Sequence, residues 1–153
     1  MSTNNIQTVT YANSLWVAVG AGGGTTNTGG ITYSSDGITW TRKSQSLTVG
    51  SQYCSVVWNG TNWIVGATSS TNNYLYASTP SGTWTAGATG TANAIFGIWW
   101  DGTRNITAEA TGTGVQIKFR YSTSATLGTT TAYVGIPELD LTNLNNAAGP
   151  AKL

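Results

Sequence analysis

Apolar residues fall along this chain in short runs, several alternating with Thr, Ser or Tyr, and each run is closed by Gly, Asn, Ser or Asp. A period of two marks a strand with one buried face; no long stretch carries apolar residues at the helical spacing. The clearest segment is Ile31-Thr-Tyr-Ser-Ser-Asp-Gly-Ile-Thr-Trp-Thr41, in which two runs of strand formers flank Asp36-Gly37. Asp-Gly supplies the positive φ angles of a two-residue type I′ hairpin turn. That turn would set Tyr33 opposite Trp40, an aromatic pair worth about 0.2–1 kcal/mol.

The same pattern recurs. Tyr11-Ala-Asn-Ser-Leu-Trp16, Trp58-Asn-Gly-Thr-Asn-Trp63 and Trp100-Asp-Gly-Thr-Arg-Asn105 each place turn residues after an aromatic, and each leads into a second apolar run. Further on, Tyr33…Trp40 is followed by Tyr76-Ala-Ser-Thr-Pro-Ser-Gly-Thr-Trp84 and by Tyr121-Ser-Thr-Ser-Ala-Thr-Leu-Gly128, which has no Trp. Pro80 cannot donate to a ladder, so a three-residue loop Thr79–Ser81 is expected there. Two independent landmarks agree on a period of about 44 residues.

The expected organisation is therefore all-β. One domain over 1–136 holds three copies, at about 6–48, 52–92 and 94–136. Each copy reads as a four-stranded antiparallel blade-like sheet, propeller-like, with a pseudo-threefold β-trefoil or β-prism as the alternative. In the second copy the strands would be about Tyr53–Trp58, Asn62–Ala67, Tyr74–Ala77 and Thr83–Ala86. Beyond Pro137 the pattern stops, and 137–153, with Leu139, Leu141 and Leu144, reads as a non-repeat tail that docks on something. Three blades cannot close a ring that takes four to eight, which a homodimer of six blades would solve.

Composition narrows the function. Charged residues make up 7% of the 153, yet Trp and Tyr number seven each, so the chain can bury a core. A net charge of +1 with scattered basic residues leaves no footprint for nucleic acid. No apolar run approaches the roughly 18 residues needed to span a bilayer, and Met1–Asn5 does not read as a secretion signal. Cys54 is the single cysteine and reads as a small buried hydrophobe. A surface of hydroxyls and amides fits proteins that live outside cells or on virions.

Tyr33-Ser-Ser-Asp-Gly-Ile-Thr-Trp-Thr41 resembles a shortened Asp-box, the Ser-x-Asp-x-Gly-x-x-Trp hairpin of sialidase-like (BNR) β-propellers. Together with Leu15-Trp-Val-Ala-Val-Gly20 it resembles repeats of structural proteins (capsid, tail or fibre) of bacteriophages and large DNA viruses. The resemblance covers about residues 7–87 well and 95–136 poorly. The second copy keeps Ser78, Gly82 and Trp84 but has Thr79-Pro80 in place of the Asp. In Asp-box proteins the hairpin lies outside the active site, so the resemblance gives Asp36 and Gly37 a structural role, with Asp36 capping its own turn.

Candidate chemistry is thin. Without a histidine, the Ser-His-Asp and Cys-His nucleophile systems have no base. A lone cysteine and five carboxylates (Asp36, Asp101, Glu109, Glu138, Asp140) leave little for a metal site or a glycosidase pair. Arg42, Arg104 and Arg120 would be the three arginines of a sialidase, with Glu109 as the nearby Glu, but six blades in one chain normally supply such a site and nothing in this sequence fixes its geometry. Gly22-Gly-Gly24 is not followed by Lys and is no phosphate loop. No metal and no cofactor are expected. Tyr11, Trp16, Tyr33, Trp40, Trp58, Trp63, Tyr76, Trp84, Trp100 and Tyr121 recur at fixed positions and read as cross-strand and inter-sheet packing. Trp99, next to Trp100 and so on the opposite face, is the candidate interface or glycan contact, together with Arg104. The expected role is a non-enzymatic virion structural protein, a capsid decoration or tail or fibre component on the virion surface. Its partners would be other virion proteins and itself, without nucleic acid or membrane. The contrasting expectation is a lectin-like module binding host-surface glycans.

Overall fold

A computed structural model describes residues 5–21, 30–43, 52–69, 71–110, 116–132 and 139–140. The chain is all-β, with three antiparallel sheets. The first sheet is β1 (Ile6–Ala12), β2 (Leu15–Gly20), β3 (Gly30–Ser34) and β4 (Thr41–Arg42), paired in chain order. The second is β5 (Tyr53–Trp58), β6 (Trp63–Ala67), β7 (Tyr74–Ala77) and β8 (Thr85–Gly87), again in chain order. The third is β9 (Ala94–Trp100), β10 (Asn105–Ala110), β11 (Gln116–Ser122) and β12 (Thr131–Ala132), with β13 (Leu139–Asp140) also pairing β11. From the expected tail, then, 139–140 joins a sheet through Gln116 and Ile117; the rest of 137–153 lies outside the described residues.

The first hairpins share one register. Tyr11 stands opposite Trp16, Trp58 opposite Trp63 and Trp100 opposite Asn105. The first two pairs bring their rings to 4.7 and 5.5 Å between centroids, within the range of favourable aromatic contact. Inside each tip a short turn satisfies its own backbone. Asn13 and Ser14 both take positive φ between Ala12 and Leu15, the signature of a type I′ turn. In the other two sheets the side-chain oxygens of Asn59 and Asp101 accept the N–H groups two and three residues on. Each first strand also carries one unpaired residue at the same register position. Gln7 follows the Ile6–Gly20 pair, Cys54 the Tyr53–Ala67 pair and Phe96 the Ile95–Glu109 pair. These are β-bulges, which locally re-aim the strand.

The second sheet lies between the other two. Val17, Val19 and Ile31 of the first sheet bury themselves against Val56, Trp63, Val65, Leu75 and Trp84. On its opposite face, Ile64 and Tyr74 pack with Ile95, Ile98 and Leu127 of the third sheet. Polar bonds cross both junctions: Thr10 Oγ1 donates to the Val56 carbonyl at 2.7 Å, and the Ile98 N–H donates to Ser55 Oγ at 3.1 Å. Gly66 marks the tightest approach, because a Cβ there would fall 2.7 Å from Ile95 Cγ2. With both faces covered, β6 is buried along its whole length.

The hairpin around Asp36 differs from the expectation. Tyr33 pairs with Thr41 and Thr32 with Arg42, so Tyr33 is not opposite Trp40. Only Gly37 of the two turn residues has positive φ, at 74°, whereas a type I′ turn needs both. Side chains hold this turn instead. Ser34 Oγ donates to Asp36 Oδ1 and accepts from the Gly37 N–H at 2.9 Å. Asp36 Oδ1 accepts from the N–H groups of Ile38 and Thr39 at 2.8 and 2.7 Å. The Trp40 indole folds back and donates to the Gly37 carbonyl at 3.1 Å. The equivalent loop of the second sheet is also wider than a three-residue Thr79–Ser81 connection. Tyr76 pairs with Thr85, and the Trp84 indole donates to the Pro80 carbonyl at 3.1 Å.

Candidate functional site

Two kinds of site are on offer: a buried polar cluster and the outer sheet faces. The cluster centres on Glu109 in β10, whose side chain is fully buried toward the second sheet. Its carboxyl group accepts from Thr91 Oγ1 (2.8 Å), Thr107 Oγ1 (3.0 Å), Asn93 Nδ2 (3.2 Å) and Thr130 Oγ1 (3.2 Å). Arg120 Nε lies 3.9 Å away and also donates to Thr130 Oγ1 at 2.9 Å. Asn73 extends the cluster, donating to Thr89 Oγ1 and to the Asn93 carbonyl, both at 2.8 Å. A buried carboxyl group needs such saturation, because an unpaired one costs several kcal/mol. Its oxygens are fully occupied by protein donors, so it joins loop 88–93 to β10 and β12 and offers no open position to a substrate.

The arginines of a sialidase are not brought together. Arg120 points to the junction with the second sheet. Arg104 forms a 2.9 Å ion pair with Asp101 and lies 5.9 Å above the Tyr121 ring, on the opposite face. Arg42 sits in β4 of the first sheet and lines a hollow of about 60 Å³ with Ile6, Ala18, Gly20 and Thr32. That volume holds a water or two, far below the few hundred Å³ of a ligand pocket. Among the described residues no group of three His, Cys, Asp or Glu could hold a metal, and no helix is long and apolar enough to cross a membrane.

The hydrogen bonds to their own turns hold the Asp36 carboxyl well below the ordinary aspartate range, and Asp101 is lowered likewise. Both carboxylates therefore stay ionised as turn staples. Burial pushes the hydroxyls of Tyr53 and Tyr74 and the Cys54 thiol upward. Cys54 is half-buried at its bulge. Asn59 and Asn105, which match glycosylation sequons, are buried and bonded to each other at 3.2 Å, while Asn59 and Asn62 both donate to the Ala125 carbonyl.

The recurrent aromatics divide by position. Trp63 and Trp84 are buried between the first and second sheets, with Tyr33 and Trp58 packed at the edge of the same cluster. Tyr76 packs against the second junction. Trp16, Trp100 and Tyr121 are half-buried, whereas Tyr11, Trp40 and Trp99 are exposed. Trp99 lies on the outer face of the third sheet, its ring over Gly97. Leu127 has no counterpart in the sequence reading. It takes positive φ and plugs the junction with the second sheet, as Trp84 plugs the junction with the first. Its place six residues after Tyr121 was the available signal.

The outer faces are the second kind of site. Val9, Tyr11 and Trp16 line the face of the first sheet turned away from the second, in register with Ala18. On the third sheet, Trp99, Ile106, Tyr121, Ala108 and Phe119 line the corresponding outer face. Of the eight large apolar residues exposed among the described residues, Ile6, Val9, Tyr11, Phe96, Trp99 and Phe119 belong to these two sheets' outer faces and bulge.

No protein-family model matches the chain, and a search of curated proteins finds no relative.

Proposed function

We propose that this chain is a non-enzymatic structural protein, a blade-built module of a virion surface such as a capsid decoration or a tail or fibre component. One observation carries the reading: the two ends of the stack of sheets present apolar, aromatic faces, whose chemistry suits permanent packing against protein. The order of strands in each sheet, the shared tip register and the shared bulge support reading the three sheets as blades of one repeat, propeller-like in kind. The Asp-box-like hairpin supports the virion class by resemblance, and the saturated Glu109 cluster supports a scaffold over a catalyst.

A lectin-like reading is favoured by one feature, the exposed Trp99 indole flanking Ile106 with Tyr121 and Arg104 beyond it. Aromatic faces beside a cation are what sugar rings stack on. A glycan array with a tryptophan-fluorescence titration separates the two. The structural reading expects no bound glycan and no saturable change in emission. Saturable quenching by any glycan, abolished by Trp99→Ala, overturns it in favour of the lectin.

A further inference from the structure

We propose that the partner of both outer faces is a second copy of this chain, packed head to tail, so that two copies close a ring of six sheets. The proposal rests on the assembly reading above and names its partner. It comes from comparing equivalent register positions in the three sheets. Ile6 and Tyr53 each precede the bulge, opposite Gly20 and Ala67. Tyr53 is 0% exposed under the first sheet, whereas Ile6 is 70% exposed. Val56 and Val9 follow the same bulge, at 4% and 50%. Trp84 and Trp40 each return an indole N–H to a turn carbonyl, at 2% and 40%. These three positions, which the second sheet buries beneath a preceding sheet, are thus exposed in the first, before which no sheet is described, whereas Ala18, the counterpart of Val65, is buried like it.

The far end mirrors this. Ile31, Tyr74 and Phe119 each stand two residues before the recurrent tyrosine of the third strand. Ile31 and Tyr74 are 1% and 4% exposed against the next sheet, and Phe119, on the last sheet among the described residues, is 37% exposed. Trp99 occupies the position of Thr10, the residue whose hydroxyl crosses to Val56. The same docking carried on by one step would set Trp99 of one copy over Val9 of the next.

Chemistry and count agree. Both faces are largely apolar, and the cation on each is open to solvent: Arg42 beside Thr32 on the first and Arg104 over Tyr121 on the third. The strands of the first sheet run 7, 6, 5 and 2 residues and those of the third 7, 6, 7 and 2, so at about 3.4 by 4.8 Å per residue the two faces cover roughly 330 and 360 Å². Together they fall at the lower end of the roughly 600–1,000 Å² per partner of a specific interface. Rings of blades take about four to eight; two copies give six sheets, whereas three would give nine.

Native mass spectrometry and light scattering on the full chain test it. The expected species at micromolar concentration has twice the 15.9 kDa of one chain. Val9→Glu and Trp99→Lys, both at exposed sites, should each give a folded monomer whose unfolding midpoint lies below the dimer's and no longer depends on protein concentration. Mixing the two variants should restore a dimer carrying one of each, because each keeps one native face and the altered faces are complementary. A wild-type monomer, including one whose outer faces are covered by its own residues 141–153, overturns the proposal. So does a ladder of trimers and larger species, or a dimer that Trp99→Lys breaks and Val9→Glu leaves intact, which would place two third sheets face to face. A monomer that ignores every glycan sinks the ring alone; glycan binding sinks the scaffold reading whatever the mass.

Discussion

Replacing Glu109 with Ala tests whether the buried polar cluster holds the third sheet to the second. The substitution leaves the strand register alone, because Ala67 already stands at the same position in the second sheet, opposite Tyr53 as Glu109 is opposite Ile95. What changes is the fate of four donors and a cation. Thr91, Asn93, Thr107 and Thr130 lose their acceptor, and Arg120 loses its carboxyl partner. Hydroxyls can turn to other acceptors; the Asn93 amide and the Arg120 guanidinium have less choice. Breaking a buried ion pair by removing one member costs about 3–5 kcal/mol, a large part of the 5–15 kcal/mol typical of a whole domain. Glu109→Gln keeps one acceptor oxygen and should cost about 1–3 kcal/mol, the penalty of one unmade buried bond. With a urea slope of about 2 kcal/mol/M, the Ala variant's midpoint should fall by roughly 2 M and the Gln variant's by about half that. Equilibrium urea unfolding followed by tryptophan emission measures both. An Ala variant within about 1 kcal/mol of the native protein, or a Gln variant as damaged as the Ala one, would refute the reasoning, since the cluster would then be incidental to stability.

Trp84→Ala, which empties a buried indole site, should cost about 3–5 kcal/mol in the same urea assay; a loss under about 1 kcal/mol would mean the first junction does not depend on it. Gly66→Ala should destabilise by about 1–3 kcal/mol, because its Cβ collides with Ile95 across the second junction, and Gly66→Ala with Ile95→Val should recover part of that loss. The Cys54 thiol, raised by burial, should react with a thiol-specific chromophore at pH 7 many times more slowly than in urea. Since the folded state depresses the Asp36 and Asp101 carboxyls, it releases their protons more readily than the unfolded chain does. Their contribution is therefore complete above the ordinary aspartate pKa and is lost as pH falls below it. Asp36→Asn should flatten that acid limb in a pH series of thermal unfolding.

Much of the fold was legible in the sequence because paired aromatics fix strand positions. The strands read for the second copy at Tyr53–Trp58 and Tyr74–Ala77 are those observed, and the last began two residues late, at Thr85. The turns were harder. Backbone preference alone makes Asp36-Gly37 a two-residue turn, yet Ser34 and Asp36 use their side chains to bind the turn's N–H groups, and that competition decides the pairing. The third sheet was illegible where its Trp is replaced, because Leu127 reaches the core through a left-handed backbone that no hydrophobic pattern announces. In the sequence Glu109 presents itself only as a candidate catalytic carboxylate. Its burial depends on partners brought in from Thr91, Asn93 and Thr130, beyond its own strand, which local spacing cannot reveal.

The single unpaired residue in each opening strand has a consequence for how such chains can vary. Gln7, Cys54 and Phe96 act as phase shifters: removing any one would turn the residue before it to the other side of its sheet. Length changes are therefore tolerable in the glycine- and threonine-rich connections but forbidden within a few residues of these three positions, whereas the side chain carried there is left open. An amide, a thiol and a phenyl ring already share the post.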